Sequence, residues 1–162
     1  MVRKLLVLAC VAGLAALAAP DARAANERDL PRYASIRAER AYLRTGPGSR
    51  YPVDWVYTRR DLPIEIVAEF DTWRRVRDWQ GTIGWMHSSV LSTRRSVVIT
   101  GARRPLRREP DEASPEIAKI EPGVIARLLT CDAEWCRIEV GVFRGWLKRG
   151  WFWGVREGEK VE

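Results

Sequence analysis

The sequence predicts an all-β protein, built as two small β-barrels in tandem behind a signal peptide. Three observations carry this. The chain opens on a basic pair and an apolar run, a unit of about 60 residues then occurs twice, and each unit breaks into short alternating stretches between turn residues. At 162 residues the chain has room for one ordinary domain or two of about 60 residues. Hydrophobic residues at 46% and charged residues at 30% exclude a disordered chain. His87 is the one histidine, and Cys10, Cys131 and Cys136 are the three cysteines, which excludes most metal sites and most histidine-dependent catalysis.

The N-terminus reads as a secretory signal. Arg3-Lys4 precede an unbroken run of apolar and small residues from Leu5 to Ala19, Pro20 ends it, and Ala22-Arg23-Ala24 has the small-x-small form of a cleavage site between Ala24 and Ala25. The run is shorter than the ~20 residues of a membrane span, so no stable membrane anchor is expected. Leu8 is bulkier than a lipoprotein signal normally tolerates before its cysteine, so Cys10 is not taken as a lipid anchor. Cleavage leaves Cys131 and Cys136 as a pair in an oxidising space.

The repeat organises the rest. Ile66-Val67-Ala68-Glu69-Phe70-Asp71-Thr72-Trp73-Arg74-Arg75-Val76 aligns without a gap on Leu128-Leu129-Thr130-Cys131-Asp132-Ala133-Glu134-Trp135-Cys136-Arg137-Ile138. Gly81 to Met86 aligns on Gly141 to Leu147 with one residue inserted in the second unit. Leu43-Arg44 aligns on Leu106-Arg107, and Tyr51-Pro52 on Ser114-Pro115. The resulting division is a signal peptide at 1–24, a linker at 25–34, barrels at 35–95 and 96–156, and a tail at 157–162.

Within each unit the elements read as strands. Ile64, Ile66, Ala68 and Phe70 alternate with Glu65, Val67 and Glu69, as on a half-buried strand. Asp71-Thr72 and Asp132-Ala133-Glu134 are polar breaks between apolar runs, as hairpins need. Gly46-Pro47-Gly48-Ser49 requires a loop, and residues 35 to 41 have the length of one helical turn. If Leu129 faces Ile138 across the second hairpin, Cys131 and Cys136 fall directly opposite each other, and a bridge there stabilises by roughly 2 kcal/mol. Glu69 and Arg74 hold the same two places in the first unit.

The combination of Leu43-Arg44-Thr45-Gly46-Pro47-Gly48, Tyr51-Pro52-Val53, Trp73-Arg74-Arg75-Val76 and Gly81-Thr82-Ile83-Gly84-Trp85-Met86 resembles the bacterial SH3-like domain family. The resemblance covers residues 35 to 92 well and 97 to 155 more weakly. There Arg108-Glu109-Pro110-Asp111 replaces the Thr-Gly-Pro-Gly step, which leaves the first loop free to differ in shape. The resemblance implies a five-stranded barrel per unit, export, and binding rather than catalysis, and it fixes no ligand.

The sequence holds no catalytic or cofactor set. A cysteine peptidase needs a free thiol beside a histidine, yet both mature cysteines are expected in a disulfide and His87 is read as a turn residue. Two cysteines and one histidine fall short of a structural zinc site. Glu65, Glu69 and Asp71 sit among many arginines, where solvated ion pairs are the simpler reading. Gly46-Pro47-Gly48 lacks the Lys-Ser/Thr step of a phosphate loop. Although the formal charge is +7, export argues against nucleic acid as partner. No metal or cofactor is expected.

A ligand would find stacking surface on the aromatic side chains. Tyr42, Tyr51, Trp55 and Tyr57 flank the Gly-Pro-Gly loop, and the step from Trp55 to Tyr57 puts both on one strand face. Trp73 and Val76 are three apart and face opposite ways, as do Trp135 and Ile138, so Trp73 and Trp135 are expected outside or at the rim. Trp85 and Trp146 are expected in or near the core. Arg44 joins the candidate site because guanidinium forks suit carboxylates and phosphates. The candidate ligand-binding set is therefore Tyr42, Arg44, Tyr51, Trp55, Tyr57, Trp73 and Trp135. Trp151-Phe152-Trp153 is expected to pack the units together, since three bare aromatics would promote aggregation.

The functional expectation is a non-enzymatic, periplasmic or secreted protein that binds a cell-envelope component, with peptidoglycan stem peptide or glycan as the leading ligand. A protein–protein adaptor for an envelope enzyme or regulator is the alternative, and a peptidoglycan-cleaving enzyme a distant third. The sequence leaves the oligomeric state open.

Overall fold

A computed structural model describes residues 30–162. The signal-peptide reading, with its Ala24/Ala25 boundary and Cys10, lies outside the described residues. The first half forms seven strands: β1 (Arg32–Ile36), β2 (Ala41–Arg44), β3 (Val53–Tyr57), β4 (Pro63–Phe70), β5 (Trp73–Arg77), β6 (Ile83–His87) and β7 (Leu91–Ser92). The second half forms β8 (Ser96–Ile99), β9 (Arg104–Arg107), β10 (Glu116–Ile120), β11 (Ile125–Cys131), β12 (Trp135–Val140), β13 (Phe143–Lys148) and β14 (Phe152–Trp153). One turn of 3₁₀ helix precedes β7 (Ser88–Val90) and another precedes β14 (Arg149–Trp151).

The two sheets have the same topology, with strand orders β3-β2-β6-β5-β4-β1-β7 and β10-β9-β13-β12-β11-β8-β14. Each has seven strands rather than the five implied by the family resemblance. The two-residue β7 and β14 add one, and β1 and β8, upstream of the aligned repeat, add another. β1 begins at Arg32, inside the stretch read as linker, and residues 35–41 make no helical turn. Ser35 and Ile36 pair with β4 and β7 instead, and Ser35 Oγ donates to the Arg94 carbonyl at 2.8 Å.

Each sheet curls around its own core. Ala34, Ile36, Ala41, Leu43, Tyr57, Ile64, Ile66, Val76 and Met86, drawn from six strands, pack as one cluster. Val97, Ile99, Leu106, Ala126, Leu128, Ile138 and Leu147 do the same in the second barrel. Leu43 and Leu106 are fully buried, and they explain the glycine of each Gly-Trp step. A Cβ at Gly84 would lie 2.5 Å from Leu43 Cγ, and one at Gly145 would lie 2.8 Å from Leu106 Cγ. Only glycine lets β6 and β13 approach that closely.

Local geometry repeats where the letters do not. Arg44 Nη1 donates to the Tyr51 carbonyl and Arg107 Nη1 to the Ser114 carbonyl, both at 2.7 Å. Thr45 N–H donates to Pro52 O and Arg108 N–H to Pro115 O, both at 3.1 Å. The loop after β9 therefore keeps the hydrogen bonds of the Gly-Pro-Gly loop, although Glu109-Pro110-Asp111 replaces the glycines. A proline at the same place in each loop and an arginine clamp across its base suffice.

The register differs from expectation in two places. A bulge at Val67 and another at Leu129 break the ladders between Ile66 and Ala68 and between Leu128 and Thr130. Ile138 therefore pairs with Leu128, not Leu129, while Cys131 still faces Cys136 and carries the disulfide. Beyond the bulge the alternation of β4 shifts, which leaves Phe70 at 60% exposure. Before it, Glu65 is buried between its strand partners Tyr33 and Arg77, and Arg77 Nε donates to it at 2.8 Å. Glu65 is thus a buried ion-pair partner, not a solvated surface carboxylate. The second difference lies in the β5–β6 turn. Val76 pairs with Gly84 and Ile138 with Gly145, so Trp79-Gln80-Gly81 answers to Gly141-Val142 and the extra residue belongs to the first unit.

The aromatic triplet divides its work. Phe152 joins the second core and Trp151 packs against it beneath the Arg104 guanidinium, 5.1 Å from the ring centre. Trp153 meets Tyr33 of the first barrel edge-on, with ring centres 4.9 Å apart. The C-terminal tail folds back onto the second barrel, where Val161 bridges Cys131 and Glu159 binds Arg95.

Candidate functional site

β3 is the edge strand of its sheet, and its first four residues are exposed. Ala41 pairs with Tyr57 and Leu43 with Trp55, so Trp55 and Tyr57 share the inward face. Tyr57 joins the core at 7% exposure, whereas Trp55 stands 57% exposed. Together with Leu62, Asp78, Trp79 and Gln80 they line a groove of about 230 Å3.

A polar latch fixes the floor of this groove. The Tyr57 hydroxyl donates to Asp78 Oδ2 at 2.8 Å, and Asp78 Oδ1 accepts from the backbone N–H of Gln80 at 2.9 Å and of Thr82 at 2.8 Å. Burial first, then the hydrogen bond to Asp78 and its charge, push the Tyr57 phenol well above its ordinary value. The hydroxyl stays protonated and remains a donor. Asp78 also sets the turn that presents Trp79, because its side chain closes onto the N–H two residues on. The result is one open indole beside a rigid wall bearing a carboxylate and an amide side chain.

The other expected site residues are dispersed. Tyr42 is 42% exposed on the outer face of β2, with the Arg44 guanidinium 5.9 Å from its ring centre. Tyr51 serves the loop: a Cβ at Gly46 would fall 2.4 Å from its ring, so the Gly-Pro-Gly backbone lies directly on it. Arg44 is engaged with the Tyr51 carbonyl. Trp73 pairs across β5 and β6 with His87, edge-on at 5.4 Å, away from the groove. His87 ends β6 and caps the following 3₁₀ turn, its Nδ1 accepting from Ser89 N–H at 3.2 Å. Trp135 is not at the rim. It is 6% exposed beneath Lys148, whose Nζ lies 5.7 Å from the ring centre, and the chain folds back there as Arg149 N–H donates to the Glu134 carbonyl. Trp85 and Trp146 are half-buried. Among the described residues no three His, Cys, Asp or Glu side chains converge as a metal site would need.

The same position in the second barrel holds a different groove. Ile120 pairs with Arg104 as Tyr57 pairs with Ala41, so Ile120 replaces Tyr57 and Ala118 replaces Trp55. Val140 stands for Asp78, and Gly141-Val142 for Trp79-Gln80-Gly81. This groove measures about 540 Å3, is lined mainly by aliphatic side chains, and leaves Val142 at 91% and Phe143 at 46% exposure. Aligning Gly81 on Gly141 hid Asp78 and Trp79 as distinguishing residues. The Asp-x-Gln-Gly turn was the signal that could have exposed them.

Residues 37–93 and 100–154 each match the family model of the bacterial SH3 domain. The chain belongs to that family. No curated protein matches it. Solved structures similar to this tandem bacterial SH3 chain include a NlpC/P60 family protein from Bacillus cereus ATCC 10987, 16% identical over 77% of this chain and 57% of that one, with a TM-score of 0.34. NlpC2 from Trichomonas vaginalis is 12% identical over 76% of this chain and 48% of its own, TM-score 0.36. NlpC1 from the same organism is 10% identical over 80% and 48%, TM-score 0.36. The bacterial SH3 chain spans about half the length of these structures, and at such TM-scores the likeness carries no argument about its own activity.

Proposed function

We propose that this chain is an exported, non-enzymatic protein that binds a cell-envelope component through the first barrel, and that the component is peptidoglycan, held by its stem peptide or glycan. The single observation that carries this reading is the Trp55 groove, with an exposed indole for stacking beside a Tyr57–Asp78 latch and the Gln80 side chain. Concave sites with an aromatic face and a few placed polar groups suit sugars and extended peptides. Membership of a family that binds cell-wall components or proteins supports it, and so does a disulfide compatible with an oxidising compartment. With both cysteines of the described residues bridged, a thiol nucleophile is not at hand.

Purified protein mixed with isolated sacculi is expected to cosediment at low salt and to release no muropeptides into the supernatant. Trp55→Ala is expected to weaken binding by about tenfold or more, as for a central aromatic contact. Absence of cosedimentation would overturn the reading. The exposed aliphatic groove of the second barrel favours the adaptor as second reading, which predicts a specific partner in crosslinked envelope extracts without affinity for bare sacculi.

A further inference from the structure

Where the barrels meet lies a cleft of about 360 Å3 that neither groove reaches, and it is lined by arginines from both halves: Arg60 after β3, Arg94 and Arg95 on the connector, and Arg127 on β11. The acidic groups beside them are Asp61 and Glu139, of which Glu139 is shared between two arginines and Asp61 faces Arg94 alone. Glu139 is bound closely by Arg144 and stands 3.8 Å from Arg127. Asp61 stands 4.0 Å from Arg94. Arg60 has only a loose contact to Glu39 at 3.8 Å. Arg95 is held by both oxygens of Glu159 at 2.6 and 3.1 Å and serves as a fixed wall. The forks of Arg60, Arg94 and Arg127 keep most of their donors uncommitted, and their side chains are 57–64% exposed.

Ser96 lines the same cleft. It is 2% exposed, and among the described residues its hydroxyl has no hydrogen-bond partner. An orphan buried hydroxyl is costly unless something supplies the missing partner. Convergent guanidinium groups with a hydroxyl donor form the donor set that recognises an oxyanion.

We propose that the inter-barrel cleft is a binding site for a small oxyanion, a carboxylate or phosphate group, held by Arg94, Arg127 and the Ser96 hydroxyl with Arg60 at its mouth. The site is independent of the Trp55 groove and would let one ligand engage both barrels or a free anion join them.

Isothermal titration of the full chain tests this, with inorganic phosphate and sodium acetate as separate probes at fixed ionic strength and sodium chloride as control. Saturable binding of phosphate assigns a phosphate-bearing ligand, saturable binding of acetate a carboxylate-bearing one, and either supports the site. Arg94→Gln with Arg127→Gln, both exposed and compatible with folding, is expected to weaken the binding at least tenfold. Ser96→Ala is expected to weaken it severalfold while leaving the anion-free melting temperature unchanged or higher, which loss of a purely structural hydroxyl would not do. Trp55→Ala is expected to bind the anion normally even if sacculus binding is lost or was never present. No saturable binding of either oxyanion, an equal response to chloride, or undiminished binding by the double arginine variant would overturn the proposal.

Discussion

Burial alone would raise the Glu159 carboxyl, but the Arg95 guanidinium and the Arg156 N–H outweigh it and hold the group below its ordinary 4.5. A carboxyl whose proton affinity falls on folding stabilises the fold above its unfolded value, and that contribution is lost as pH drops through the folded value. Glu159→Gln is therefore expected to lower the urea midpoint near pH 7, with the difference from wild type closing as pH falls below about 4.5. A gap that stays constant down to pH 3 would remove Glu159 from the acid limb. Also against Arg95, Tyr33 is pushed up to about 12, by burial first and then by the Glu65 carboxylate, so it acts there as a neutral ring beneath the guanidinium 5.6 Å away. Neither role is written in the local sequence, because Tyr33, Arg95 and Glu159 meet only through the tertiary fold. Trp55 and Tyr57 were legible because a spacing of two suffices to place them on one face. Trp135 was not, because spacing tells which face a side chain takes and says nothing of what later covers that face.

At the scale of the element, the two central hairpins solve one problem in two ways. β4–β5 and β11–β12 bulge at equivalent residues, Val67 and Leu129, and end in tips of equal length but different backbone geometry, since Asp71 takes a positive φ and no residue of the second tip does. The first tip is closed by Glu69 with Arg74, 3.3 Å apart, and by Arg32 on β1. The second is closed by the Cys131–Cys136 bond, over a turn in which Asp132 Oδ1 accepts from the N–H groups of Glu134 at 3.1 Å and Trp135 at 3.0 Å. Those two donors hold the Asp132 carboxyl below its ordinary value. Replacing both cysteines by serine is expected to lower the stability of the second barrel by about 2 kcal/mol, read from denaturant midpoints with and without reductant. If wild type and variant coincide under oxidising conditions, the bond contributes nothing. The hairpins and the bridged pair were legible from aligned letters, since Trp-x-x-aliphatic and Gly-Trp steps answer directly to core contacts. The bulges were not, because an apolar residue at 67 or 129 continues an alternating pattern whether or not the ladder skips it.

At the scale of the molecule, the duplication and its all-β class were legible, the strands β1, β7, β8 and β14 were not, and the interface depends on residues whose types differ between the two units. Trp153 lies edge-on to Tyr33, Arg59 Nη2 donates to the Gly123 carbonyl at 2.8 Å, and Ile125 packs against the first core. An aromatic pair of this kind is worth about 1 kcal/mol beyond its buried area. Wild-type protein is expected to melt in one calorimetric transition, and Trp153→Ala in two. Two transitions in the wild type would show that the contact does not couple the barrels. Only residues 93–95 separate β7 from β8, a reach of roughly 10 Å at full extension. That connector is pinned to both barrels, by Ser35 Oγ on the Arg94 carbonyl and by Leu128 N–H on the Arg95 carbonyl. Two unlike mouths on so short and anchored a tether cannot be re-aimed one against the other. The chain therefore presents its aromatic groove and its aliphatic groove as a fixed-gauge pair, with their spacing and order built into the backbone.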